Sequence, residues 1–197
     1  MHISEGVLSG KVLLTGAVAS SVGLFLGLKR LQDDKVPKAA LLSGAFFVAS
    51  LIHIPIGPTS VHLLLNGLVG LMLGWLTFPA IFVGLILQAV LFQFGGLTTL
   101  GVNLFIMAAP GVVCYFFYRP FLKTRLWPLA AFLTGVTGVG LGAVLMAVAL
   151  YATGEEFVST AKLALISHIP VAVAEGIITT ISIGFLKKTK PELLEGV

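Results

Sequence analysis

Residues 127–151 read WPLAAFLTGVTGVGLGAVLMAVALY, 25 positions without a single charge. A helix needs roughly 17–25 residues to cross the hydrocarbon core of a bilayer, so this stretch is long enough by itself. It is apolar on every face and lacks the alternation of a membrane β-strand. In lipid the backbone must satisfy its own hydrogen bonds, which a helix does. Working outward, similar runs recur between Gly, Pro and charge at residues 7–28, 39–56, 61–77, 79–94, 102–118 and 163–186. Hydrophobic residues make up 57% of the 197 positions and charged residues 10%, against about a quarter charged in soluble domains. Mean hydropathy is +1.07. These values exclude a cytosolic globule, a disordered tail and a nucleic-acid-binding module. One cysteine, Cys114, excludes a disulfide framework and a cysteine-based metal knuckle.

The expected fold is therefore an all-α membrane protein of about seven transmembrane helices in a single domain, 1–197. It has an N-terminal arm at 1–6 and a tail at 187–197. The third, fourth and fifth runs are short, so a six-span reading that fuses two of them is the competitor. Small residues repeat at Gly23-x-x-x-Gly27 and Gly70-x-x-x-Gly74 and crowd at Gly138, Gly140 and Gly142, a pattern expected to pack helices within the bundle. With seven spans, Lys29, Arg30, Lys35, Lys38, Arg119, Lys123, Arg125, Lys187, Lys188 and Lys190 share one side, ten of the twelve basic residues. The positive-inside bias then puts the N-terminus outside and the C-terminus in the cytoplasm of a bacterial or archaeal cell membrane. Ala17-Val18-Ala19 looks like a signal cleavage site. The start carries no Lys or Arg, however, and the apolar run continues to residue 28, so the arm is read as retained.

Polar chemistry is concentrated near the expected outer face, where His2, His53, His62 and His168 all fall. Each polar group in a membrane needs a partner or a task. The chain starts Met1-His2, and a residue as large as His2 should block removal of Met1. The Met1 amine, the His2 amide nitrogen and His2 Nδ1 can then close fused five- and six-membered rings on one cation, once protons are lost. That leaves a fourth planar place for another imidazole. Planar nitrogen suits Ni(II) or Cu(II), with Co(II) also admissible, whereas Mg²⁺ and Ca²⁺ want oxygen.

His53-Ile54-Pro55-Ile56-Gly57-Pro58-Thr59-Ser60-Val61-His62 reads as a tight connection between spans. Thr59 or Ser60 is expected to cap the next helix, with His62 in its first turn and Asn66 on the same face. His53 reads as an interfacial hydrogen-bonder. For His62 the residues alone leave ligand and hydrogen-bonder both open. Gln93 and Asn103 flank a Gly- and Thr-rich loop and are candidates to orient ligands, while Gln88 reads as a contact between helices. Glu175 is the one acidic residue deep inside a span, a helix-locking or supporting group some two turns from His168.

Met1-His2-Ile3-Ser4-Glu5-Gly6 resembles the start of the CbiM/NikM proteins, the substrate-capture membrane subunits of energy-coupling-factor (ECF) ABC transporters for cobalt and nickel. The stretches Ile54–Leu63, Phe94–Asn103 and Ala174-Glu175-Gly176 fit the same family, so the resemblance spans nearly the whole chain. It implies about seven helices, an arm inserted from outside, and metal ligation by Met1, His2 and His62. Ser4 resembles the cobalt-type branch, which is linked to cobalamin synthesis. Co²⁺ or Ni²⁺ would be cargo, with no prosthetic group. No Gly-x-x-x-x-Gly-Lys-Ser/Thr loop occurs, so ATP would be hydrolysed by partner ATPase subunits acting through a coupling transmembrane protein. Any small accessory membrane part would be a separate subunit, since the chain ends soon after Lys187-Lys188. The rivals are a proton-coupled secondary metal transporter using Glu175 and His168, an intramembrane metallohydrolase, for which no His-Glu-x-x-His occurs, and a structural anchor.

Overall fold

A computed structural model describes residues 2–56 and 59–195. Among these, seven helices have eight residues or more: α1 (Gly10–Leu28), α2 (Val36–Ala49), α3 (Asn66–Leu73), α4 (Thr77–Phe92), α5 (Leu100–Tyr118), α6 (Trp127–Tyr151) and α7 (Val158–Thr189). A short α8 (Glu192–Glu195) follows. Five stretches are long and apolar enough to cross a membrane: Gly10–Leu28, Asn66–Phe92, Leu100–Lys123, Trp127–Tyr151 and Glu155–Thr189. Large apolar side chains such as Val18, Val22 and Phe25 on α1, and Ile169, Ile177 and Phe185 on α7, are exposed. Continuous apolar faces of this extent belong against lipid.

The chain departs from the expected spans between α2 and α3. The second run, read as helical to residue 56, leaves the helix at Ala49 and enters strand β1 (His53–Ile56). The third, read as opening at residue 61, is strand β2 (Thr59–His62) followed by irregular chain, and helix begins only at Asn66. The two strands pair antiparallel, with His53 opposite His62 and Ile56 opposite Thr59. Proline explains the loss of helix. Pro55 lacks an N–H and drives Ile54 before it towards extended backbone. The expected cap of a helix by Thr59 or Ser60 therefore fails, because no helix starts there, and α3 has no side-chain cap bond at its own N-cap, Leu65.

Helix α3 is only eight residues long, and every one of them is buried. At 1.5 Å per residue it reaches about 12 Å, far short of a bilayer core. It is a half-helix surrounded by protein, entered through non-helical chain, which membrane folds tolerate only where that chain is itself buried. Gly74, with φ +58°, ends it and turns the chain into α4. Helix α3 owes its place to glycine. A side chain on Gly70 would land on the Gly111 backbone of α5, and one on Gly138 of α6 would stand 2.7 Å from the Gly67 Cα. The repeated small residues thus serve close approach inside this chain.

The two ends of the bundle differ in chemistry. Lys29, Arg30 and Lys35 line one recess with Trp75 and Tyr115. Arg119, Lys123 and Lys187 line its neighbour, again with Tyr115. The loops between α1 and α2 and between α5 and α6, together with the end of α7, therefore gather at one end. The arm, the hairpin and the α4–α5 loop gather at the other, since Asn103 at the start of α5 bonds to Ile3 while Arg119 follows its far end.

Candidate metal centre

Helix α5 brings Asn103 to the arm, where its side-chain amide pairs with both backbone groups of Ile3. The Ile3 N–H donates to Asn103 Oδ1 at 3.0 Å, and Asn103 Nδ2 donates to the Ile3 carbonyl at 3.0 Å. A second tie joins the Thr98 N–H to Glu5 Oε1 at 3.1 Å. Gly96 (φ +145°) lets the loop lie against the Glu5 side chain, where a Cβ would collide. The arm is therefore gripped by the Gly- and Thr-rich loop and the helix that follows it. Asn103 acts on the arm backbone rather than on an imidazole.

This grip seats the His2 ring beside His62, with ring centroids 4.8 Å apart. Phe94 flanks His2 at 6.0 Å. His62 is buried at the end of β2, so it does not stand in the first turn of a helix as its spacing suggested. The two imidazoles meet nitrogen to nitrogen, His2 Nδ1 to His62 Nε2, at 3.0 Å.

The far nitrogens of both rings are held as well. His62 Nδ1–H donates to the Leu63 carbonyl at 2.9 Å, and a carbonyl can only accept. His2 Nε2–H donates to Gln88 Oε1 at 2.7 Å. In a neutral ring the other nitrogen then carries a lone pair and no proton. Burial, and next the positive charge at the head of the chain, pushes the His2 imidazole down to about 3, so it is neutral at ordinary pH. The two ring nitrogens thus stand 3.0 Å apart, a spacing at which they can share one proton or bind one cation together. First-row cations bind imidazole nitrogen at about 2.0–2.1 Å, which separates two ligands at right angles by about 2.9 Å. The pair already stands at ligand spacing.

Among the described residues no group of three His, Cys, Asp or Glu side chains gathers to hold a metal, so further donors must come from elsewhere. Met1 and the side chains of His53, Thr59 and Ser60 lie outside the described residues. Asn66 does not face His62. Its Nδ2 donates to the carbonyls of Met107 and Gly138, binding α3 to α5 and α6. Gln93 is exposed and ends α4 in a left-handed conformation. His168 turns Nδ1–H to the Ala164 carbonyl of its own helix. Glu175 accepts from the backbone after β2. The sequence undervalued Gln88. It is fully buried, and it bonds to His2 as well as bridging elements. The signal was present: an amide in a helix that is otherwise apolar needs a task.

Over residues 2–193 the sequence matches the family described as the cobalt uptake substrate-specific transmembrane region. The chain belongs to the CbiM family. A Haemophilus influenzae protein named for metal transport is 44% identical over 201 residues, covering 98% of this chain and 97% of that one. The cobalt transport protein CbiM of Sorangium cellulosum is 30% identical, covering 99% and 95%. A crystal structure described as a transition metal transporter superposes with a TM-score of 0.83 at 26% identity, covering 95% of this chain and 93% of that one. As a member of the CbiM family the chain is a multi-pass, substrate-specific membrane component for cobalt or nickel uptake, and its relatives are transport proteins.

Proposed function

We propose that the protein captures Co²⁺ or Ni²⁺ at the outer end of the bundle with the Met1 amine, the His2 amide nitrogen, His2 Nδ1 and His62 Nε2, and delivers it within an ATP-driven ECF importer. The observation that carries this reading is the approach of His2 Nδ1 to His62 Nε2 at 3.0 Å, with the far nitrogen of each ring held by its own partner. Two imidazoles are too few for a tight site. The first amide is one chelate ring from His2 Nδ1 and the amine one ring further, and a planar set of four nitrogens suits these cations. The basic recesses at the opposite end support an outward site through the positive-inside bias. ATP would be split by partner ATPase subunits and the work passed on by a coupling membrane protein, because the chain has no phosphate-binding loop.

Metal analysis of purified protein tests the reading. The unmodified chain is expected to hold about one Co²⁺ or Ni²⁺, and His2→Ala or His62→Ala to hold almost none while eluting as the same species. Retention by His62→Ala would refute the ligand set.

Gln88→Leu probes the tautomer lock. Without an acceptor for Nε2–H, the His2 ring is free to place its proton on Nδ1 and to rotate. Loss of such an outer partner typically weakens metal affinity 10–100-fold. Isothermal titration with Ni²⁺ should show a loss in that range, with Gln88→Glu, which keeps an acceptor, close to the original.

A further inference from the structure

We propose that Glu175 is a positioning residue for metal capture: by accepting the N–H groups of Leu64 and Leu65 it sets where His62 Nε2 stands. This rests on the reading of His62 as a ligand.

The carboxylate projects from the middle of α7 and is wholly buried. Its Oε1 accepts the Leu64 N–H and, at 2.8 Å, the Leu65 N–H, while Oε2 also accepts the latter at 3.0 Å. These two donors begin two residues after His62, in the non-helical chain that leads into α3. The Leu65 N–H stands at the N-cap of α3, where free donors carry positive partial charge, and the Leu64 N–H lies one residue before it. Glu175 satisfies both from another helix.

Two further observations show that the segment is held rather than relaxed. Leu65 has φ +51° and ψ +14°, the left-handed region that a bulky L residue rarely enters. Such a conformation persists only where its surroundings over-determine it, and it collects at functional sites. Glu175 in turn cannot drift, because Gly135 of α6 lies against its backbone so closely that a Cβ there would collide. Asn66, next in the chain, is fixed to α5 and α6. The path from α7 to the imidazole is therefore short: Glu175, two N–H groups, the Leu63 carbonyl that orients the His62 ring, and Nε2. Position matters there because a chelate tolerates little error. His62 must meet His2, whose own place is set independently by Asn103 and Gln88.

The test is Ni²⁺ titration of the full-length protein in detergent, read by calorimetry and by the visible d–d absorption of the bound ion. Glu175→Leu keeps the volume and removes both acceptors. It is expected to weaken Ni²⁺ binding 10–100-fold and to shift the absorption. Glu175→Gln retains one oxygen for Leu64 and Leu65 and should restore most of the affinity and the original spectrum. A residue with a merely structural role would change apo thermal stability but leave affinity and spectrum alone in whatever protein remains folded. Glu175→Leu that folds and binds as the original does would overturn the proposal. If that variant does not fold, Glu175→Asp decides, because its carboxylate is withdrawn by one methylene: weakened binding supports the proposal and unchanged binding sinks it. Absence of any nitrogen-type Ni²⁺ spectrum in the unmodified protein would instead count against the four-nitrogen site, and the inference would fall with it.

Discussion

Two alanines placed ahead of Met1 are expected to lower Co²⁺ and Ni²⁺ affinity by about 10²- to 10⁴-fold, the range by which tethering raises avidity. Every side chain of the original protein remains, so the loss reports on the amine alone. In the unextended chain the amine, the first amide and His2 Nδ1 share two fused rings. After the extension the amine lies beyond reach of a ring with the next imidazole, and the intervening amides have no anchored metal to which they can give up their protons. The number of added residues matters. A single residue would move the imidazole to the third position, where an amine, two amides and Nδ1 can chelate by themselves. Such a protein would bind metal without needing His62, so its His62→Ala derivative would lose nothing. The pair of extensions, each with and without His62→Ala and read by calorimetry, distinguishes a fixed four-nitrogen site from general attraction to a flexible amine. Full affinity in the two-alanine protein would reject the ligand set.

Gly70→Ala is expected to be the most damaging small change in the bundle. The new Cβ would fall on the backbone of Gly111, where no side-chain rotation can make room. Overpacking typically costs 1–3 kcal/mol and occasionally more, and a backbone-on-backbone clash belongs at or above the top of that range, about 3 kcal/mol. Thermal unfolding in detergent should show a marked fall in midpoint, with metal content falling in proportion to the folded fraction. Gly140→Ala is the control, since nothing stands within 4 Å of a Cβ there. Equal behaviour of the two variants would contradict the packing described around α3.

The helices were legible because charge-free runs such as 127–151 leave a membrane chain few alternatives; about seven spans were expected, and the described residues hold seven helices of eight residues or more, with five stretches long and apolar enough to cross. The Met1-His2 start and His62 stood out as candidate donors because their chemistry is local, and the fold brings His2 and His62 together. The hairpin was not. Pro55 and Pro58 announce a turn, but strand pairing between His53 and His62 depends on the two segments finding each other. Partner choice across long separations was also hidden. Glu175 stands 110 positions from Leu65, and Asn103 100 from Ile3, so no spacing rule links them. Gln88 and Asn103 were both visible as polar residues in apolar surroundings. Only the fold shows that one bonds to an imidazole while the other grips the backbone of Ile3.

The two facing nitrogens have separate owners. His2 travels with a strip of chain clasped by one asparagine and a glycine loop, whereas His62 is anchored to a half-helix jammed between glycine-lined neighbours. Under the proposed ligand set, unloading the ion therefore does not call for the barrel of helices to reshape. Unfastening the clasp and retreating by little more than the length of one coordinate bond would divide the donors between two bodies and leave neither with a complete set.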